Sequence, residues 1–117
     1  MKVLIVEDNT LTRFTLKSLL TRLGHEVIGE AVDSAGAVRC FTETRPDLVF
    51  LDLILPGKSG VEIFDELRKI DPKPKVVIIT AVDQEEVDLR LSDNGAVAIL
   101  RKPFSFEEFK DLLKSIT

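Results

Sequence analysis

Short apolar runs alternate along the chain with longer stretches in which hydrophobic residues recur every three or four positions. Val3 to Val6 are all apolar; after an acidic turn, Leu16, Leu19, Leu20 and Leu23 fall at the spacing of one helical face. The pattern predicts a strand over Lys2 to Val6 and then a helix. Gly24 stands where a left-handed C-cap favours glycine, and His25 to Ala31 reads as a second strand. Ser34 is expected to cap a second helix that carries Val38 and Phe41 and stops before Pro46. Leu48 to Leu51 then forms a strand apolar on both faces, closed by Asp52.

Pro56, Gly57 and Gly60 mark a loop, and Ile63, Phe64, Leu67 and Ile70 supply a third helical stripe that ends at Pro72 and Pro74. Val76 to Ile79 is the fourth strand, with Thr80 at its end. Gln84 to Asn94 reads as a fourth helix, although Val87, Leu89 and Leu91 fit a period of two equally well. Ala96 to Leu100 makes a fifth strand, and Ser105 caps a last helix with the stripe Phe106, Phe109, Leu112, Leu113 and Ile116. Strict alternation of strands and helices, with strands apolar on both faces, implies an α/β fold: a doubly wound parallel sheet covered by helices on each side. The connections are short and no repeat or linker interrupts them, so one domain over residues 1–117 is expected.

Charge and composition narrow the function classes. Sixteen basic against twenty acidic residues leave a net charge of −4, so no direct nucleic-acid binding is expected. No apolar run approaches the roughly 18 residues that cross a bilayer, and Glu7 and Asp8 end the first run before a signal-peptide core is complete. No membrane partner and a cytoplasmic location are expected. One cysteine, Cys40, and one histidine, His25, exclude an internal disulfide and a His/Cys zinc site, so any metal must be held by oxygen. Phenylalanines 41, 50, 64, 106 and 109 occupy apolar helix or strand positions, which assigns them to the core and not to base stacking.

In open parallel sheets the ligand site lies beyond the carboxyl ends of the strands. Here those ends carry Glu7 and Asp8 (first strand), Asp52 (third), Thr80 and Ala81 (fourth), and Lys102 and Pro103 (fifth). Two like charges about 4 Å apart cost roughly 4 kcal/mol at an effective dielectric of about 20, so converging carboxylates need a neutralising partner. Mg²⁺ suits them, since it takes one or two carboxylates and keeps positions for water and a phosphoryl oxygen. Asp8 and Asp52 are the expected direct ligands, with Glu7 acting through water. Aspartate is also a nucleophile toward phosphorus, and Asp52, on the middle strand, is the expected phosphoacceptor. Lys102 and the Thr80 hydroxyl complete an electrostatic clamp for phosphoryl transfer, and the small Ala81 leaves room for the incoming group.

Across its full length the chain resembles the receiver domain of bacterial two-component response regulators, which are CheY-like. The motifs are Val-Glu-Asp at 6 to 8, Asp-Leu-Ile-Leu-Pro-Gly-Lys-Ser-Gly at 52 to 60, Thr-Ala at 80 and 81, and Lys-Pro at 102 and 103. The resemblance implies the flavodoxin-like strand order 2-1-3-4-5. It also implies a cis Lys102-Pro103 bond and a metal shell completed by the backbone carbonyl of Ile54. By the same resemblance, a sensor histidine kinase or phosphotransfer protein supplies the phosphoryl group. An effector or a second copy then docks on the face made by the fourth helix, fifth strand and fifth helix. Such a domain catalyses only its own phosphorylation and dephosphorylation.

Receivers usually carry Phe or Tyr three residues before the lysine, where this chain has Ile99. That departure keeps open an interaction scaffold of the same shape whose output does not depend on phosphorylation. Two rivals fit less well. Phosphatases of the haloacid dehalogenase type need a second aspartate where this chain has Ile54, and Glu7 and Asp8 would repel a flavin phosphate.

Overall fold

The computed structural model describes residues 1–81 and 85–117. Five strands, β1 (Lys2–Val6), β2 (Glu26–Ala31), β3 (Leu48–Asp52), β4 (Lys75–Thr80) and β5 (Ala98–Arg101), form one sheet in the order β2-β1-β3-β4-β5. Every pairing is parallel. The helices α1 (Thr10–Arg22), α2 (Ser34–Thr44), α3 (Gly60–Ile70), α4 (Glu85–Asp93) and α5 (Phe106–Ile116) are the crossovers. The fold is the predicted flavodoxin-like, doubly wound α/β arrangement.

Strand alternation sorts the core into two halves. Leu4, Val6, Val49, Leu51, Val76 and Ile78 pack with Ala37 and Phe41 of α2, Ile63, Phe64 and Leu67 of α3, and Leu91 of α4. Their neighbours Val3, Ile5, Leu48, Phe50, Val77, Ile79 and Leu100 pack with Leu16 and Leu20 of α1 and Phe109 and Leu113 of α5. Because β3 lies in the middle of the sheet, both of its faces are covered and all five of its residues are buried. This explains its unbroken apolar run.

Local chemistry sets most boundaries. Asn9, Ser59 and Ser105 cap α1, α3 and α5 by accepting from the amides of Thr12, Glu62 and Glu108. The Glu108 carboxylate in turn accepts from the Ser105 amide, which completes a capping box. Gly24, at φ +87°, takes the left-handed conformation just past α1, where a side chain would be strained.

Two boundary readings are corrected, at the cap of α2 and the start of β5. The cap of α2 is Asp33, whose carboxylate accepts from the Gly36 amide at 2.8 Å, while Ser34 is the first helical residue. Two adjacent cap-forming residues compete there, and the extended backbone at Asp33 decides for the carboxylate. β5 begins at Ala98 and not at Ala96, because the Ala96 amide closes the end of α4 by donating to the Leu91 carbonyl. Ile70 is 43% exposed at the end of α3, beyond the last fully buried turn. Glu85–Asp93 is helical, which settles the period question. Leu91 is buried and Val87 packs against the core, while Leu89 is 58% exposed. Gln84 lies outside the described residues.

Candidate functional site: an acidic pocket with one lysine

The alternation that sends Ile5, Phe50 and Leu100 toward α1 and α5 also sends the next residues of the same parity, Glu7, Asp52 and Lys102, to one place at the carboxyl end of the sheet. Lys102 Nζ lies 2.5 Å from Glu7 Oε1 and 3.0 Å from Asp52 Oδ2. One oxygen each from Glu7, Asp8 and Asp52 fall within 4.8 Å of one another. Glu7 is 1% and Asp52 6% exposed, whereas Asp8 is open to solvent.

Backbone groups fix the orientation of the acids. The Ile54 amide donates to Asp52 Oδ1 at 3.0 Å, and the Asn9 amide donates to Glu7 Oε2 at 3.3 Å. Gly60 allows the loop after β3 to fold tightly against α3. A Cβ there would stand 2.4 Å from Leu53 Cα and 2.6 Å from the Asp52 carbonyl oxygen. Thr80, fully buried, ends β4 on the neighbouring strand, and its carbonyl accepts from the Lys102 amide at 2.9 Å. The Lys102-Pro103 bond is cis, as the resemblance implied.

Burial pushes the Glu7 carboxyl up to about 7, helped by a hydrogen bond and repulsion from Asp52, while Lys102 pulls it partway back. For Lys102 burial acts downward, but its contacts with Glu7 and Asp52 outweigh that and raise it above the ordinary lysine value. One ammonium cannot balance three carboxylates, and burial beside Asp52 makes the charged form of Glu7 the one least favoured. The donors are all oxygen, they are close enough to share one ion, and their charge deficit suits a divalent cation. The described residues therefore fit a hard metal such as Mg²⁺. A groove of about 400 Å³ between Leu11, Thr12 and Thr15 of α1 and Ala81, Lys102, Pro103 and Phe104 opens beside this pocket.

Of the residues singled out in the sequence, Glu7, Asp8, Asp52 and Lys102 meet directly, Ile54 adjoins Asp52 through its amide, and Thr80 adjoins Lys102 through its backbone. Cys40 and His25 stay apart: the Cys40 thiol lies 3.8 Å from the Glu30 carbonyl oxygen, and His25 Nδ1 pairs with the Met1 amine at 3.0 Å. Arg13 was not anticipated, yet its guanidinium donates to the Glu7 carbonyl at 3.0 Å. Its signal was an arginine in the opening turn of a helix, where the dipole disfavours a cation.

Residues 3–114 match the family described as Response regulator receiver domain. The chain is 33% identical over 116 residues to the chemotaxis protein CheY of Thermotoga maritima, covering 99% of this chain and 97% of that protein. It is 33% identical to the sporulation initiation phosphotransferase F of Bacillus subtilis, covering 97% of this chain and 90% of that protein. It spans only 52% of the transcriptional regulatory protein PdtaR of Mycobacterium tuberculosis, at 38% identity over 92% of this chain. Among solved structures, the CheX-CheY complex with BeF3 and Mg²⁺ from Borrelia burgdorferi superposes with a TM-score of 0.95 at 25% identity, over 99% of this chain and 88% of that one. The chain therefore belongs to the response regulator receiver domain family, as a phosphoacceptor receiver of two-component signalling.

Proposed function

We propose that residues 1–117 form one receiver domain in which Asp52 accepts a phosphoryl group from a phosphohistidine of a sensor histidine kinase or phosphotransfer protein. The observation that carries this reading is the 3.0 Å contact between Lys102 Nζ and Asp52 Oδ2. A fixed cation touches the carboxylate of the expected nucleophile, next to the place where the phosphoryl oxygens would carry the charge of the transfer. In the transfer an Asp52 carboxylate oxygen forms a bond to phosphorus as the bond from phosphorus to the histidine nitrogen breaks. The product is an acyl phosphate and a free imidazole.

Glu7, Asp8 and Asp52, with the backbone carbonyl of Ile54, would hold Mg²⁺, which supplies charge neutralisation for the carboxylates and the phosphoryl oxygens. Lys102 holds a further phosphoryl oxygen, the Thr80 hydroxyl another, and Ala81 leaves space for the incoming group. Water is limited by the low exposure of Glu7 and Asp52. The groove beside Lys102 offers the donor an approach. The domain turns over no separate substrate and acts in the cytoplasm, in keeping with a signalling family and with the absence, among the described residues, of a helix long and apolar enough to cross a membrane.

Phosphorylation replaces the single negative charge of the Asp52 carboxylate with a phosphoryl group that carries about 1.5 to 2, and switches binding of a partner. The output surface in this reading is the α4, β5 and α5 face, used by an effector or a second copy. A second reading, the phosphorylation-independent scaffold, is favoured by Ile99, an aliphatic residue packed against the core where the family usually places an aromatic ring.

Incubation with Mg²⁺ and acetyl phosphate, followed by intact-mass measurement, separates the two. The phosphoacceptor reading expects a gain of one phosphoryl group that Asp52→Asn abolishes. A chain that gains nothing, or a gain that survives the substitution, favours the scaffold.

A further inference from the structure

We propose that Arg13 is a positioning residue for the acidic pocket: by gripping the backbone of Glu7 and Asp8 it aims both carboxylates at Asp52. The proposal rests on the metal-binding reading above. Arg13 Nη1 donates to the Glu7 carbonyl at 3.0 Å and to the Asp8 carbonyl at 3.4 Å. Its Nε lies 3.4 Å from Glu30 Oε1 on edge strand β2, and its side chain is only 19% exposed.

Three features argue that this arrangement is more than a surface ion pair. First, Arg13 stands in the opening turn of α1, a turn with no acidic residue, where the helix dipole disfavours a cation. Something outside the helix must compensate, and the two carbonyls do. Second, helical side chains lean toward the N-terminus, so a long side chain at this position reaches back over the loop between β1 and α1. Third, β1 ends at Val6, and the carbonyls of the two residues that follow need donors beyond the sheet ladder; Arg13 Nη1 supplies them.

The loop is thereby tied to β2 twice. The Glu7 amide donates to the Ala31 carbonyl at 3.0 Å, and the Glu7 carbonyl reaches Glu30 through Arg13. Ile5 and Glu30 are register partners, so this brace lies just below the pocket. Lys17, 3.5 Å from the second Glu30 oxygen, helps hold Glu30 in place.

The sign of one measurement separates positioning from plain electrostatics. A cation near the pocket repels Mg²⁺, so removing Arg13 as a mere charge should tighten metal binding, whereas removing a brace should weaken it. The full chain is compared with Arg13→Met, Arg13→Lys and Glu30→Gln by Mg²⁺ titration and by metal-free amide exchange. The expected result for Arg13→Met is about tenfold weaker Mg²⁺ binding, as for loss of a group that orients a metal ligand. It is accompanied by lost amide protection at residues 7–9, with β3 and β4 unchanged. Arg13→Lys should not restore binding, because one ammonium cannot serve both carbonyls and Glu30 at these separations. Glu30→Gln should weaken binding in the same direction. Unchanged or tighter binding in Arg13→Met overturns the proposal, as does protection lost equally across the sheet. If the unsubstituted chain itself fails to bind Mg²⁺, the metal reading falls; loop exchange then decides, acceleration confined to residues 7–9 supporting the brace and no change overturning it.

Discussion

Lys102 and Asp52 stand fifty positions apart in the chain, yet the lysine nitrogen rests 3.0 Å from a carboxylate oxygen of the aspartate. The same nitrogen touches Glu7, so one ammonium bridges the ends of three strands. Removing it leaves two largely buried carboxylates without their cation and strips a donor from the transfer site. Lys102→Met is expected to slow phosphorylation by acetyl phosphate by about 100-fold, the usual cost of losing one charge-stabilising donor. Mg²⁺ binding should persist or tighten, because a competing cation is gone. Phosphorylation at the unsubstituted rate would remove Lys102 from the mechanism.

Glu7 makes the metal-free protein sensitive to pH. Its folded value, about 7, lies above the ordinary 4.5, so the folded state holds an extra proton between those limits. The stability this contributes is full below about 4.5 and is lost as pH rises through 7, by an amount on the order of 3 kcal/mol at 1.36 kcal/mol per unit. Urea unfolding with chelator present should show the unsubstituted chain losing stability relative to Glu7→Gln from pH 5 to pH 8. Taking the difference cancels other titrations, including that of His25, which burial and the Met1 ammonium lower. Added Mg²⁺ should stabilise more at pH 8 than at pH 6, since it displaces the proton. A pH-independent difference would contradict the assigned burial of Glu7.

Gly60 joins packing to chemistry. A methyl group there would collide with the backbone of Asp52 and Leu53 at 2.4 to 2.6 Å, and backbone cannot swing aside as a side chain can. Gly60→Ala is expected to destabilise by about 1–3 kcal/mol and to slow phosphorylation, because relief of the clash moves Asp52. Thermal unfolding and the mass assay report the two effects separately. A variant with unaltered stability and rate would show that the loop yields freely.

Phe109 is fully buried, with its ring stacked 5.5 Å from that of Phe50 and 5.7 Å from that of Phe104. Phe109→Ala should cost about 3–5 kcal/mol, a large share of the stability of a domain this size. Denaturant unfolding checks this. A loss below about 1 kcal/mol would mean that α5 is not anchored by this ring.

Much of this protein is legible in its sequence because local rules and global packing agree. Buried strands must be apolar on both faces, and each covering helix needs one apolar stripe, so Leu48 to Leu51 and the residues from Phe106 to Ile116 announce their roles without a neighbour in view. Asp52 and Lys102 were legible for a related reason: Asp52 follows directly on an apolar run and Lys102 stands one residue beyond the end of another, where charge marks the end of burial. Choices between adjacent, chemically equivalent residues were not legible. Asp33 caps α2 in preference to Ser34, and Ala96 closes α4 instead of opening β5, because the path of the chain decides which group meets the free amide or carbonyl. The pairing of Arg13 with Glu30 was not legible either. Nothing local links a residue of α1 to one of β2, and only the sheet order sets them 3.4 Å apart. Sequence determined the alternating elements and the chemistry waiting at the strand ends, because those depend on side chains alone. Tertiary structure decided which carboxylate is buried enough to hold a proton near neutrality and which arginine braces it, because burial and reach depend on everything packed around them.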